Sequence, residues 1–256
     1  MSPVSAPRRW WHRLVFGVVL TIALLSTVAA FFWLTLPRVG WLQKENPTQS
    51  ALMQFRRLQA EARGETFHCR KRWVPLWRIS PHLIQAVLIA EDDKFFQHEG
   101  FDWEAMRQAL EMNIRKKKIF RGGSTITQQL AKNLFLSPQQ TVLRKVTEAA
   151  IAVKLEKELT KKRILELYLN IAEWGDGIFG AEAASRAYFD CPAAGLTPAQ
   201  AIRLASILPN PHRFSPYNDR SPRLNRKRRM IAYRLLQRHW IESETYQQIL
   251  ANLNRH

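Results

Sequence analysis

A chain of 256 residues with 46% hydrophobic content can bury a full core, which excludes intrinsic disorder and makes one compact domain plus an appendage the expected organisation. Its 39 Lys and Arg against 21 Asp and Glu leave a formal charge of +18, so the partner must be anionic: nucleic acid, an acidic membrane surface or a phosphorylated substrate. Cys69 and Cys191 form neither a CxxC pair nor a zinc-like cluster; they read as small apolar residues, with a disulfide open to them only outside the cytoplasm.

Residues 1–13 form a short tail, and 14–36, LVFGVVLTIALLSTVAAFFWLTL, carry no charge. At about 1.5 Å rise per residue that run crosses a ~30 Å hydrocarbon core. It is longer than a usual signal-peptide apolar region, and Trp33, Leu34 and Pro37 occupy the stretch where a small-residue cleavage site would follow, so an anchor is expected. Arg8, Arg9 and Arg13 precede the run and only Arg38 follows closely, which predicts an N-terminus in the cytoplasm and everything after Pro37 outside. A basic domain on that side of the membrane excludes nucleic acid as its partner.

Residues 37–69 are expected as a linker leading into a domain at 70–256, the mixed basic and aromatic stretch from Gln43 to Trp77 showing little periodicity. From Ser80 onward the pattern is helical. Ser80-Pro81 and Thr197-Pro198 are helix-start signatures ahead of apolar runs, Asp102 is placed to cap WEAMRQALEMNI, Thr160 to cap KKRILELYLN, and Val142 to Leu159 has apolar residues at helical spacing. Convincing strand signals are missing, so the fold class is mainly α. Gly122-Gly123 and Gly175, Gly177 and Gly180 mark loops expected to approach a ligand closely. SPRLNRKRRMIAYRLL predicts a basic amphipathic helix.

Three clusters carry chemistry. In a helix from Pro81 to Glu91, Ile84, Val87, Leu88 and Glu91 share a face, so Glu91 ends an apolar stripe beside Asp92, Asp93 and His98. Partial removal from water strengthens a carboxylate as a base towards a hydroxyl. In RGGSTITQQLAKN, two glycines, hydroxyl residues and a helix start make a loop able to receive an anion, with Thr125, Gln129 and Lys132 on one helix face; the P-loop pattern is absent. Arg144 and Glu148 stand at the i,i+4 spacing of an ordinary helical ion pair, worth about 0.2 to 0.5 kcal/mol. Lys154, Glu156, Lys157 and Glu158 read as a solvated face. Ile114 to Phe120, IRKKKIF, combines consecutive cations with apolar flanks and is expected to dip into a membrane interface.

Together these clusters resemble the peptidoglycan glycosyltransferase family, shared by monofunctional transglycosylases and the glycosyltransferase domains of class A penicillin-binding proteins. EDxxFxxHxG is met by Glu91, Asp92, Phe95, His98 and Gly100; GGSTITQQLAKN runs through Ser124 to Asn133; RKxxE is met by Arg144, Lys145 and Glu148. The likeness continues through ILELYLN, the glycine run ending at Phe189, and LASILPNPHRFSP, covering about residues 70–220. No penicillin-binding segment follows before His256, so the monofunctional branch is expected.

The resemblance implies a lysozyme-like, two-lobed helical domain behind a single transmembrane helix. It implies lipid II, the lipid-linked disaccharide precursor, and the growing glycan strand as substrates, with other cell-wall synthesis or division proteins as possible partners. Glu91 is then the base and Glu148 a second functional carboxylate. Lys132 and Arg144 lie near the donor pyrophosphate, and Asp92, Phe95, His98, Ser124, Thr125, Gln129, Asn133 and Lys145 belong to the substrate site. A divalent cation, magnesium or manganese, at the pyrophosphate is open, since no dedicated metal cage is present. The family's arginine shortly before RKxxE is replaced here by Gln139 and Gln140. A lysozyme-type hydrolase is the enzymatic rival, and an anchored adaptor binding anionic lipid or glycan the non-enzymatic one. The hydrolase would need a protonated acid rather than cations at the leaving oxygen, and the adaptor leaves the Glu91 cluster unexplained.

Overall fold

The structure, a computed structural model, describes residues 8–115, 123–138, 141–218 and 220–254. It divides into two units, 1–38 and 39–256. In the first, helix α1 runs Arg8–Thr35, and its segment Trp10–Thr35 has a mean hydropathy of 2.5, long and apolar enough to cross a membrane. The helix thus starts before the uncharged run and ends one residue short of it. Thr21 and Thr27 donate back to the carbonyls of Gly17 and Ala23 at 2.8 and 2.9 Å, so neither hydroxyl is left unpaired for a lipid environment.

The second unit begins well before residue 70, which corrects the linker expectation. Val39 and Leu42 are fully buried, and helix α2 (Ala51–Glu61), capped by Ser50, buries Met53 and Ala60. In α2 the exposed Leu58 and half-buried Leu52 and Phe55 interleave with Gln54, Arg56, Arg57 and Gln59, so its apolar residues make no clean helical stripe in the sequence.

Next come strand β1 (Arg70–Lys71), helix α3 (Pro81–Glu91), α4 (Trp103–Arg115), α5 (Ile126–Phe135), α6 (Val142–Glu158) and α7 (Lys161–Ile171). A hairpin of β2 (Glu173–Gly175) and β3 (Ile178–Phe179) leads to α8 (Ala181–Phe189), α9 (Pro198–Ile207), α10 (Pro222–Gln237) and α11 (Ser243–Asn254). Strand order is β1-β3-β2, with β1 parallel and β2 antiparallel to β3, and Arg70 opposite Ile178. The domain remains mainly helical.

Several helix starts follow the expected caps. Asp102 Oδ1 accepts from Ala105 N at 2.8 Å, Thr160 from Arg163 N at 3.2 Å, and Thr197 forms a reciprocal capping box with Gln200. Ser80 departs from this pattern: its hydroxyl donates to Leu196 O at 2.9 Å, tying the start of α3 to the start of α9 instead of capping its own helix.

The helices form two packed groups. In one, α3 packs on α9 and α10, and α10 on α9 and α11; in the other, α5 packs on α2, α6 and α7. Asn170, at the end of α7, pairs with both backbone groups of Val74 at 2.9 Å, stitching the chain entering α3 to the second group.

The glycines of the hairpin make their close approaches to the protein itself, correcting the ligand-loop expectation. A Cβ on Gly177, which sits at φ +67°, would fall 2.2 Å from His68 O, and one on Gly180, at φ +88°, 2.7 Å from Asn170 O. Gly122 and most of the IRKKKIF segment lie outside the described residues, as do Gln139 and Gln140.

Candidate active site

Glu91 is the last residue of α3, its side chain only 10% exposed. Gln129 Nε2 donates to its Oε2 at 3.0 Å, and Lys227 Nζ to its Oε1 at 3.0 Å. Gln129 is held in turn by the Tyr168 hydroxyl, which donates to its Oε1 at 3.1 Å. That bond fixes the amide so that its NH₂ faces the carboxylate. Burial, with Glu91 and Asp92 close by, raises the Tyr168 pKa well above that of an ordinary tyrosine, so its phenol stays a donor. Two of the three helices converging on Glu91, α5 and α7, belong to one group and α10 to the other.

The next residue builds the scaffold rather than the binding surface. Asp92 is buried; its Oδ1 meets His98 Nε2 at 2.9 Å and its Oδ2 accepts the backbone N–H of Ile126 at 2.9 Å, satisfying an orphan donor in the first turn of α5. Thr125 is buried too, its hydroxyl donating to Gly100 O at 2.7 Å and accepting from Gln128 N in a capping box. Phe95 is 1% exposed, with the Lys161 ammonium 4.4 Å from its ring centroid. Asp92, Phe95 and Thr125, expected as substrate contacts, are thus buried here, where they orient α5 and the chain following Glu91. His98 has its Nε2 engaged with Asp92 and lies outside the lining of the cleft described next.

From α5, Gln129, Lys132 and Asn133 line a cavity of about 320 Å³ with Arg144, Arg56 and Tyr168. Among the described residues, no hydrogen-bond or ion-pair partner meets the Lys132 ammonium. Burial lowers its pKa below that of ordinary lysine, with Glu148 pulling the other way. Arg144 binds Glu148 at 3.2 Å through Nη1, while its buried Nε finds no acceptor among the described residues. The cavity therefore offers two cations with unspent donor capacity.

Glu148 is 2% exposed and accepts from both Arg144 and Lys145; Lys145 also reaches Ser124 Oγ at 3.1 Å. A buried carboxylate holding two cations is a different object from the surface pair expected at this spacing. Ser124, Arg144, Lys145 and Glu148 thus form one cluster, joined to the cleft through Arg144. The supposed solvated face also needs correction: Glu156 is largely buried, accepting from Thr127 and, at 2.7 Å, from Lys161, while Lys157 and Glu158 are exposed.

Four residues at the site escaped the sequence reading: Arg56, Tyr168, Lys227 and Glu173. Arg56 binds Glu173 through two N–H groups, each at 3.0 Å. Glu173, Asp176 and His212 also bring ligand atoms within 4.8 Å of one another. The Arg56 guanidinium occupies one oxygen of Glu173 and adds positive charge there, so this group does not fit a cation. Around the cleft, Glu148 is likewise spent on Arg144 and Lys145; the residues present fit an anion and not a metal cage. Cys69 and Cys191 are both free thiols.

A family model described as Transglycosylase matches residues 59–236. A biosynthetic peptidoglycan transglycosylase of Aromatoleum aromaticum is 48% identical over 220 residues, covering 86% of this chain and 94% of the relative. One of Nitrosospira multiformis is 44% identical over 228 residues, covering 89% and 96%, and one of Azoarcus sp. strain BH72 is 47% identical over 206 residues, covering 80% and 87%. A buried carboxylate between a cationic cleft and an opposing basic helix is thus set in a chain that belongs, over most of its length, to the peptidoglycan transglycosylase family.

Proposed function

We propose that this chain polymerises lipid II into β-1,4-linked glycan at the outer face of the cytoplasmic membrane, with Glu91 as base and the Lys132–Arg144 cleft receiving the donor pyrophosphate. The observation that carries the reading is the placement of Glu91 beside a cavity whose free donors are cations. In the reaction, the acceptor's 4-hydroxyl gives its proton to Glu91 as its oxygen bonds to the donor's anomeric carbon. The bond from that carbon to the pyrophosphate breaks, and the electron pair leaves with undecaprenyl pyrophosphate. A pyrophosphate departs without a proton, so its developing charge needs cations held in place beforehand. Displacement at an α-linked centre inverts it and gives a β link.

The membrane side of the reading rests on α1 and on exposed apolar residues of α4 and of the start of α6. Trp103, Leu110 and Ile114 on α4 are 70%, 61% and 67% exposed, and Val142 and Leu143 at the start of α6 are 84% and 68% exposed. Apolar exposure of this kind suits a lipid interface, where a substrate with its polyprenyl tail in the bilayer is presented. The arginines at the N-terminal end of α1 favour that end in the cytoplasm and the domain in the periplasm. The test is purified full-length chain with lipid II: polymer supports the reading, hydrolysed fragments support the hydrolase, and unchanged lipid II with retained binding supports the adaptor.

Lys132 sets a pH signature. Its lowered pKa means that the folded chain releases this proton more readily than the unfolded one. The buried ammonium therefore costs stability below the lowered value, and that cost fades as pH rises through it. Catalysis has the opposite need, because only the ammonium stabilises the leaving group. The alkaline limb of the rate profile should fall at a lower pH than an ordinary lysine would set, and Lys132→Arg should move it upward at reduced rate. An alkaline limb that is the same in both proteins would remove Lys132 from charge stabilisation.

A further inference from the structure

The two oxygens of Glu91 face different neighbours. Oε2 is held by Gln129, which lines the cleft with Lys132 and Arg144; Oε1 is held by Lys227, which lines a second cavity of about 180 Å³ with Asn210, Arg213, Phe214 and Arg223. Pro209 lines both. The Arg213 guanidinium lies 5.7 Å from the Phe214 ring centroid, and among the described residues neither Arg213 nor Arg223 meets an acidic group. Three cations therefore border this pocket, and among the described residues the one acid bonded to any of them is Glu91, held by Lys227. A base standing between two cationic pockets suits a reaction that joins two anionic substrates.

From this geometry we infer that the Arg213–Arg223–Lys227 pocket is the acceptor's anion subsite. The inference rests on the glycosyl-transfer reading above. The donor's pyrophosphate leaves through the Lys132–Arg144 cleft, whereas the acceptor keeps all its negative charge through the reaction. An acceptor anion in the second pocket is held by Arg213 and Arg223 and competes with Glu91 for the Lys227 ammonium. Lys227 then turns from the carboxylate to the incoming anion, and Oε1 is released to receive the 4-hydroxyl proton. The base is thus shielded until the second substrate arrives. Two groups on the acceptor have the required chemistry, its own pyrophosphate and the carboxylates of its peptide stem.

The experiment is an elongation assay on the full chain, using a labelled lipid-linked tetrasaccharide whose terminal 4-hydroxyl has been removed. Such a molecule acts only as donor, and lipid II is titrated as acceptor. Arg213→Gln with Arg223→Gln should raise the lipid II concentration giving half-maximal elongation about tenfold, the loss expected for charge-assisted contacts, with the donor dependence unchanged. Both side chains are exposed, and equal melting temperatures of variant and parent will show that the fold is intact. Repeating the titration with one acceptor lacking the stem and another with an uncharged linkage in place of the pyrophosphate identifies the anion, because the penalty vanishes with the group that is bound. The assignment is overturned if the double variant matches the parent, if the donor dependence shifts instead, or if the penalty survives with both altered acceptors. A parent that forms no product overturns the glycosyl-transfer reading, and this inference with it.

Discussion

Glu91→Gln is expected to reduce polymer formation from lipid II by about 10²- to 10⁴-fold, the usual cost of losing a general base. The substitution keeps the volume and planarity of the side chain, and the site is 10% exposed, so water cannot readily stand in for the missing carboxylate. An amide still accepts one hydrogen bond through its oxygen, so either Gln129 or Lys227 retains its partner. The melting temperature should change little, and retention of donor in a pull-down with lipid II-containing vesicles should persist, since the Lys132–Arg144 cleft is untouched. A variant with near-parental turnover would remove Glu91 from the chemistry. A variant that fails to fold would show the Lys227 contact to be structural first.

The largest effect on stability is expected at Arg228, on α10. Its side chain is fully buried, donating to Pro216 O at 2.7 Å and to Ser206 Oγ at 3.2 Å, with Asn225 Oδ1 at 3.4 Å. Arg228→Met fills much of the space but leaves buried acceptors without donors, at about 1 to 3 kcal/mol for each group stranded. A total loss of roughly 3 to 5 kcal/mol is expected, which lowers the melting temperature of a domain this size by on the order of 10 °C. Lysine should not rescue it, because a single ammonium cannot reproduce a planar fork reaching several acceptors. The loop held by Arg228 also supplies Pro209 and Pro211 to one pocket and Asn210 and Arg213 to the other. Molecules that remain folded should therefore also lose turnover. A Met variant that melts like the parent in circular dichroism would show the loop to be held elsewhere.

Much of this architecture could be read in advance because helix caps are local. Asp102, Thr160 and Thr197 act within three residues, and their bonds are where the sequence placed them. Glu91 was legible for a related reason, since it closes an apolar stripe on its own helix. Lys227 was not: it meets Glu91 from 136 residues away, and no local pattern distinguishes it from the solvated cations around it. Arg228 was hidden in the same basic run, where charges are usually exposed. Tyr168 sits within the apolar run of α7, and its hydroxyl became informative only once Gln129 stood opposite. Gly177 and Gly180 show a further limit, because a sequence announces that backbone must pass close to something without saying whether that something is a ligand or Asn170. Thr125 and Asp92 read as substrate contacts from their place in the sequence, whereas here Thr125 pairs with Gly100 O and Gln128 N, and Asp92 with His98 and Ile126 N.

The buried ammonium of Lys132 carries one consequence for chemical probes. A lysine whose pKa is lowered by burial holds more of its amine in the neutral, nucleophilic form at a given pH than the surface lysines around it. An electrophile with an anionic arm suited to the cationic cleft and an aldehyde or activated ester placed beside Lys132 would gain twice, from guided delivery and from a more reactive amine. The same burial that reduces the ammonium available for the proposed pyrophosphate contact thus makes Lys132 a point where a small molecule could be covalently attached in preference to the surface lysines around it.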